Sequence, residues 1–540
     1  MCAGALRLWC GARSSPLPRG LLRELAVSEI DSERAAHLLE PARSLVEEID
    51  GPGRVRQCLV EGSSHQSATG LFYTPFRVAK AMAELVRREA PQGRIIDPAA
   101  GSGVFGLALI DRGDDVVLVE KDRLGAAIAA ACTGTEALRS GACAPRVWSA
   151  DALGFDTPVD MTAAVWGSPR RRLDRNGPFA AAIGNPPYGR VTGRPAPEPA
   201  LGRPPNVAAA FTLRYLDRLS SGGVLAFLLP RSLEFVQSWD EFRHALARRG
   251  DLIGICPLGR EIDVGMEQTV VAIRRSKTPK SLPLPVLRFR DDSLIPDYLV
   301  PATELDRPDR PIAWFLSPEC LSILEKVETK SKPLSAWSPK ICRGVTVQRH
   351  LEPGGRGRRW ITRSDIERYR VTGSRSLSAT APETLVRRVS RLRRPKIVAQ
   401  RRVTRRAGPP SRIVLKAAYD PDGRFDPADT VVNVMLADPD DALLALAVMN
   451  TELASYYLLA RSFNGNAQTT PDLDRSYLER LFIPDLPAGE RRLLIRLARR
   501  ATEAALSGEE ATVGAEVEAR LASHFGLTRA DQSVVLGRPP

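Results

Sequence analysis

The sequence has no CxxC pair. Its eight cysteines are scattered, and its five histidines never stand beside them at zinc-ligand spacing. No disulfide framework and no structural metal are therefore expected. Long apolar runs are also missing: the longest stretches, 222–230 and 443–449, have core-strand or core-helix lengths, well short of the ~18 consecutive apolar residues of a membrane span. The opening MCAGALRLWCGARSS is interrupted by Arg7 and carries its basic residues after the apolar run, the reverse of a secretory signal. The expected compartment is the cytoplasm, with no membrane partner. There is no internal repeat and no long low-complexity tail.

What is present is a globular composition over 540 residues, 43% hydrophobic and 26% charged, long enough for about three domains at roughly 100–200 residues each. Lysine and arginine total 77 against 63 acids, a formal charge of +14. Such an excess suits a polyanionic partner, although a GC-rich genome also enriches arginine. Residues 1–60 read as an N-terminal helical region without recognisable chemistry. From 61 to 275, apolar strands (RIID, DVVLVE, RVWSA, AAIGN, GVLAFLLP, LIGICPL, TVVAIRR) alternate with helical stretches, the pattern of a mainly parallel α/β sheet. Proline and charge at 276–310 suggest a linker. Residues 311–485 are irregular with short strands, and 486–540 return to a helical pattern.

The strand RIID runs from Asp97 into Pro98, Ala99, Ala100, Gly101, Ser102 and Gly103 before the helical VFGLALI. At the carboxyl end of a parallel strand, a turn of Gly and Ala lets a ligand lie against backbone, so Gly101 and Gly103 are expected to resist bulk. The next strand ends in Glu120, suited to both hydroxyls of a ribose, and the third leads to Asp151, suited to an exocyclic adenine amine. A plain tight turn would also explain the glycines. With no GxGxxG, a dinucleotide is disfavoured.

The sharpest motif is AAIGNPPYG, where an apolar strand enters Asn185, Pro186, Pro187 and Tyr188. An amine conjugated to a heteroaromatic ring is a poor nucleophile because its lone pair is delocalised. The Asn185 side-chain oxygen and the Pro186 carbonyl can each accept one of its N–H bonds, the prolines hold that carbonyl in place, and Tyr188 offers a ring face for a planar base. A bare NPP is usually an Asn-initiated turn; its place after an apolar strand, downstream of Asp97, Gly101, Glu120 and Asp151, favours chemistry.

Together GLFYTPFRVAKAMAEL, IIDPAAGSGVF, VVLVEKD, SADALGF, GNPPYG and NVAAAFTLRYLDRLSSGGVLAFLLPRSLE resemble, in that order, the TaqI-like gamma-class N6-adenine DNA methyltransferases of restriction–modification type. The resemblance implies a Rossmann-like mixed seven-stranded methyltransferase sheet with helices on both faces, S-adenosylmethionine as cofactor, double-stranded DNA as substrate with the adenine flipped out, a C-terminal α+β target-recognition domain, and room for a cognate restriction endonuclease as partner. It places Thr74 and Pro75 over the cofactor's methionine end, the backbone of Ala99 to Gly103 along it, Glu120 and Asp151 at ribose and adenine, and Phe211 near the adenine. The chain departs from the family after LIGICPLG, where Ile262 stands nearest the expected second aromatic.

Between 386 and 416 lie Arg387, Arg388, Arg391, Arg393, Arg394, Lys396, Arg401, Arg402, Arg405, Arg406, Arg412 and Lys416 with no acidic residue. Such a stripe can neutralise phosphates and release counterions, and a few arginines can read guanine edges; Arg393, Arg394, Lys396, Arg401, Arg402, Arg405 and Arg406 are its expected DNA contacts. Asn464, Asn466 and Gln468 resemble a recognition loop, although such amides also stabilise their own backbone. Other readings of NPPY are an RNA or protein-glutamine amino methyltransferase, and a catalytically inactive DNA-binding specificity protein retains the fold. No PD-(D/E)xK nuclease run is evident in 1–60 or after 486.

Overall fold

Short runs of valine, isoleucine, leucine and alanine that are buried throughout suit the strands of a sheet covered on both faces. The computed structural model describes residues 2–15, 17–18, 20–25, 29–40, 43–60, 74–110, 114–154, 157–169, 178–189, 206–234, 239–258, 268–280, 282–302, 316–353, 358–379, 381–406, 412–463, 472–473, 475–504 and 510–537. The strands of the first unit are β1 (Ile95–Asp97), β2 (Val116–Glu120), β3 (Arg146–Ser149), β4 (Val159–Asp160), β5 (Phe179–Gly184), β6 (Leu219–Pro230), β7 (Gly250–Leu258), β8 (Gln268–Arg275), β9 (Leu284–Arg290) and β10 (Ser293–Val300) among the described residues, and β1, β2 and β5 are buried along their whole length. They make one sheet in the order β10-β9-β7-β8-β6-β5-β1-β2-β3-β4. Strands β3, β2, β1, β5 and β6 are parallel, and β8 runs antiparallel to both β6 and β7.

The chain winds outward from β1 in two directions, through β2 and β3 on one side and β5 and β6 on the other. A crevice therefore opens at the carboxyl ends of β1 and β5, the topological switch point of an open sheet. Asp97 ends β1 and Gly184 ends β5, so the two motifs singled out in the sequence meet there.

The expected sheet has seven strands; the observed one has ten. Strand β4 adds to one edge and the β9–β10 hairpin to the other. The hairpin lies within 276–310, so that segment is not a linker throughout. Its composition misleads for a physical reason: Pro296 and a bulge between Pro296 and Tyr298 lie on β10, the edge strand, where a missing N–H costs no ladder bond.

Residues 1–314 form one compact unit and 315–540 a second. In the first, the N-terminal helices join the core of the sheet. Leu6, Trp9 and Cys10 share a cluster with Ala126, Ala127 and Ala130 of the helix Arg123–Ser140, whose small residues leave room for a second helix. Trp9 donates its indole N–H to the Glu48 carbonyl at 2.8 Å.

The second unit contains two four-stranded sheets. One pairs Lys340–Arg343, Val431–Met435, Lys396–Gln400 and Ala417–Asp420 in that order; the other contains Leu351–Pro353, Arg375–Leu377, Arg359–Ile361 and Phe425–Pro427. The apolar helix Pro439–Met449 packs against Ala488–Ala504. Among the described residues no single helix is long and apolar enough to cross a membrane; the bent pair 439–449 and 452–462 passes only when taken together.

Candidate active site

Asp97 is fully buried at the end of β1. Its Oδ1 accepts the Ala99 N–H at 3.0 Å, whereas its Oδ2 is buried with no hydrogen-bond partner among the described residues. Burial, with the nearby Glu120 carboxylate adding to it, pushes the Asp97 carboxyl up to about 8. The two glycines of the following turn differ in what they do. Both have positive φ, 56° at Gly101 and 89° at Gly103. A methyl group at Gly103 would stand 3.0 Å from Ala129, so this glycine serves helix packing; one at Gly101 would meet nothing within 4 Å. Gly101 is the position with open space above it.

Glu120, buried at the end of β2, accepts the Gly101 N–H on Oε2 and the Asp122 N–H on Oε1, both at 2.8 Å. Each oxygen keeps lone-pair capacity for a ligand hydroxyl. Burial raises the Glu120 carboxyl, opposed by Arg56 and the two amides. Asp151 follows β3. Its Oδ1 accepts the Leu153 N–H at 3.0 Å and its Oδ2 meets Lys121 Nζ at 3.1 Å. Phe211 is buried in the helix Val207–Asp217 and stacks on Tyr215, whose hydroxyl donates to the Ala152 carbonyl at 3.2 Å. The helix carrying Phe211 is thereby tied to the loop carrying Asp151.

Asn185 follows β5 directly. Its Nδ2 donates to Thr74 Oγ1 at 3.0 Å, and its Oδ1 accepts the Tyr188 hydroxyl at 2.6 Å. The amide is thus held from both ends. Burial pushes the Tyr188 hydroxyl well above its usual range, so it remains a donor. Pro186 is buried, and Pro187 and Tyr188 are half-buried. The residue before Asn185 closes the geometry: a methyl group on Gly184 would stand 2.7 Å from Asp97 Oδ1. Pro75 caps the helix Phe76–Glu89 and places Thr74, itself buried, beside Asn185.

Residues 57–116 match the family model described as N-6 DNA Methylase. Over this segment the chain is similar to the N-6 DNA methylases. No curated protein matches the chain. Among solved structures, the chain of the DrdV–DNA complex is similar at 14% identity, with a TM-score of 0.50, over 88% of this chain and 61% of that one. This chain therefore spans about three fifths of that chain's length, and at that identity the likeness shows a shared fold. MmeI, a type IIL restriction-modification enzyme in complex with DNA, aligns at 11% identity and TM-score 0.49 over 93% of this chain and 77% of its own. The type IIG restriction endonuclease BpuSI aligns at 12% and 0.41 over 97% and 76%.

The sheet thus brings Thr74, Asp97, Ala99, Gly101, Glu120 and Asn185 to neighbouring strand ends. Two contributors escaped sequence reading. Asn206 caps the helix Val207–Asp217, accepting the Ala208 N–H at 2.8 Å and donating to the Tyr188 carbonyl at 3.1 Å; Asn before an apolar helical run was its available signal. Gln268, opposite Pro230 where β8 begins, is buried with neither amide atom hydrogen-bonded among the described residues, and nothing in the sequence marks it. Ile262 and residues 61–73 lie outside the described residues. Among the described residues, no group of three or more His, Cys, Asp or Glu gathers as a metal site.

The arginine stripe of the second unit divides in two. Lys396 is not a DNA contact: it is buried, its Nζ 2.6 Å from buried Asp420 directly opposite it in the antiparallel register. Arg393 pairs with buried Asp426 at 3.0 Å, and Arg401 and Arg402 pair with Asp472 at 2.8 and 3.3 Å. Lys416 pairs with Glu367, and Arg412 donates to the Leu536 carbonyl. The stripe contains no acid, but folding brings acids to it from elsewhere in the chain. Arg405 and Arg406 lie on the strand Thr404–Arg406, paired with Arg412–Val414; their side chains, like Asn464, Asn466 and Gln468, lie outside the described residues. Arg387, Arg388, Arg391 and Arg394 are exposed. The helix Glu383–Ser390 packs Val389 inward while Leu392 just beyond it joins the same cluster with Trp360, so these guanidinium groups line the outer side.

Proposed function

We propose that this chain transfers a methyl group from S-adenosylmethionine to the N6 amino group of an adenine flipped out of duplex DNA, within a restriction–modification system and beside a cognate restriction endonuclease. One observation carries the reading. The Asn185 amide, held by Thr74 and Tyr188, stands at the switch point next to a buried acid with an unpartnered oxygen and a glycine turn with open space, in a segment matching the N-6 DNA methylases.

The residues fit that cofactor. The unpartnered Asp97 Oδ2 suits an ammonium group, Gly101 leaves room for a close backbone approach, and Glu120 has lone pairs for ribose hydroxyls. Asp151 and Phe211 suit an adenine edge and face. When bound, the cofactor supplies a methyl group activated by a positive sulfur. The chain's own part is positioning. Asn185 Oδ1 and the Pro186 carbonyl accept the two N–H bonds of the target amine, localise its lone pair and take up the positive charge that develops on nitrogen. Tyr188 keeps Asn185 oriented through its hydroxyl and offers its ring to the base.

Residues 311–485 act as the DNA target-recognition part, with Arg387, Arg388, Arg391 and Arg394 as phosphate contacts in addition to Arg402. The DNA named in the DrdV complex supports a DNA substrate. Methyl-labelled cofactor should label DNA and yield N6-methyladenine after digestion to nucleosides. Label confined to RNA or to protein glutamine rejects this function.

A further inference from the structure

The N-terminal helix Gly51–Val60 carries no sequence motif, yet it reaches the glycine turn. A methyl group on Gly53 would stand 3.0 Å from Ser102 Cβ. One turn further on, Arg56 is 6% exposed, and its Nη2 lies 2.6 Å from Asp122 Oδ2. A methyl group on Gly125 would meet both the Gly101 carbonyl, at 3.0 Å, and the Arg56 guanidinium, at 3.1 Å. The arginine therefore lies against the same small space as the turn. Asp122 donates its own N–H to Glu120 Oε1, and Glu120 Oε2 accepts from Gly101. The result is a continuous chain of contacts: Arg56, Asp122, Glu120, Gly101.

The Arg56 Nε is buried and, among the described residues, has no hydrogen-bond partner. A buried guanidinium N–H left unsatisfied is costly, and this guanidinium pairs with Asp122, whose own N–H reaches the Glu120 expected to hold a ribose. We propose that the helix Gly51–Val60 is part of the cofactor site, with Arg56 a positioning residue that fixes Asp122 and, through it, sets Glu120 for the ribose hydroxyls. The inference rests on the reading of the chain as an S-adenosylmethionine enzyme. The electrostatics agree in sign: Arg56 favours the charged form of Glu120, whereas burial, Asp122 and Asp97 oppose it. Asp122 itself is held below its usual range by Arg56 against the cost of its burial. The Cys2 thiol also lies within the field of Arg56 and Asp122. Without the guanidinium, the carboxylates of Glu120 and Asp122 are left with the backbone amides of Gly101, Asp122 and Gly125.

The test is titration calorimetry of the full-length protein with S-adenosylmethionine between pH 6 and 9, comparing wild type, Arg56→Gln, Arg56→Lys and Asp122→Asn. Arg56→Gln should weaken binding about tenfold at pH 7, the equivalent of about 1.4 kcal/mol. The deficit should shrink as pH rises and Glu120 ionises without help. Arg56→Lys should recover most of the affinity, and Asp122→Asn should move the pH profile toward lower pH. In steady-state assays the loss should fall on KM for the cofactor, not on KM for DNA. If Arg56→Gln lacks a cooperative thermal transition, the lysine and Asp122→Asn profiles decide. A wild-type protein that binds while all variants match it within twofold at every pH overturns the inference alone. A wild-type protein that does not bind overturns the function on which it rests.

Discussion

Two buried aspartates, one in each unit, are treated in opposite ways. Asp420 has every oxygen occupied: Lys396 Nζ and the Phe425 N–H approach Oδ2, and the Arg424 N–H approaches Oδ1. Asp97 has one oxygen served by Ala99 and one served by nothing. Burying a carboxylate without partners costs several kcal/mol, so the difference divides scaffold from site. Asp420 is closed and internally complete; Asp97 is left incomplete at the mouth of a crevice, where a cationic group would complete it.

The largest expected effect comes from opening the closed site. Lys396→Met should destabilise the second unit by about 3–5 kcal/mol by stranding Asp420, and the double variant Lys396→Met/Asp420→Leu should recover much of it. A thermal melt unchanged by the single substitution would show that the pair is not structural. Next is the catalytic turn: Asn185→Ala should slow methyl transfer to DNA by about 10²–10³-fold, the loss typical of a donor or acceptor matched to a transition state. Calorimetry should find cofactor affinity nearly unchanged, because the proposed role of Asn185 is toward the target amine.

Asp97→Asn should abolish cofactor binding and yet stabilise the free protein near neutral pH. The folded state holds this carboxyl at about 8 against the usual 3.8, so the folded protein binds more protons than the unfolded chain between those values. The contribution of Asp97 to stability is intact below the lower value and is lost as pH rises toward the higher one. Melts at pH 5 and pH 8 should therefore differ less in the variant than in the wild type. Wild-type cofactor binding at pH 7 should release protons, visible as a dependence of apparent enthalpy on buffer ionisation enthalpy. The smallest effect is expected on the outer arginines: Arg391→Ala and Arg394→Ala should each weaken DNA binding a few-fold and reduce the slope of log K against log salt by about 0.9. Equal slopes in variant and wild type would remove these residues from the interface.

Much of the first unit was legible because its strands are buried on both faces and read as uninterrupted apolar runs; β1, β2 and β5 end where the sequence placed Asp97, Glu120 and Gly184. The β9–β10 hairpin was illegible because edge strands tolerate the prolines and charges that also mark linkers. The arginine stripe misled for another reason. Charge along a segment is local, whereas charge compensation is set by register, and Asp420, Asp426 and Asp472 reach the stripe only through folding. Arg56 was hidden in the same way: its partner, Asp122, lies 66 positions downstream, and no periodicity connects them.

Gly184 shows what a missing side chain can enforce. It has no methyl group to hold the carboxyl of Asp97 away, so the residue expected to grip the donor lies against the backbone that leads directly into the one expected to orient the acceptor. Alanine at this position would act as a shim, pushing the two apart by a fraction of an ångström. Catalysis should then decline while both ligands still bind, because in-line transfer between two independently anchored molecules depends on the gap between their anchors.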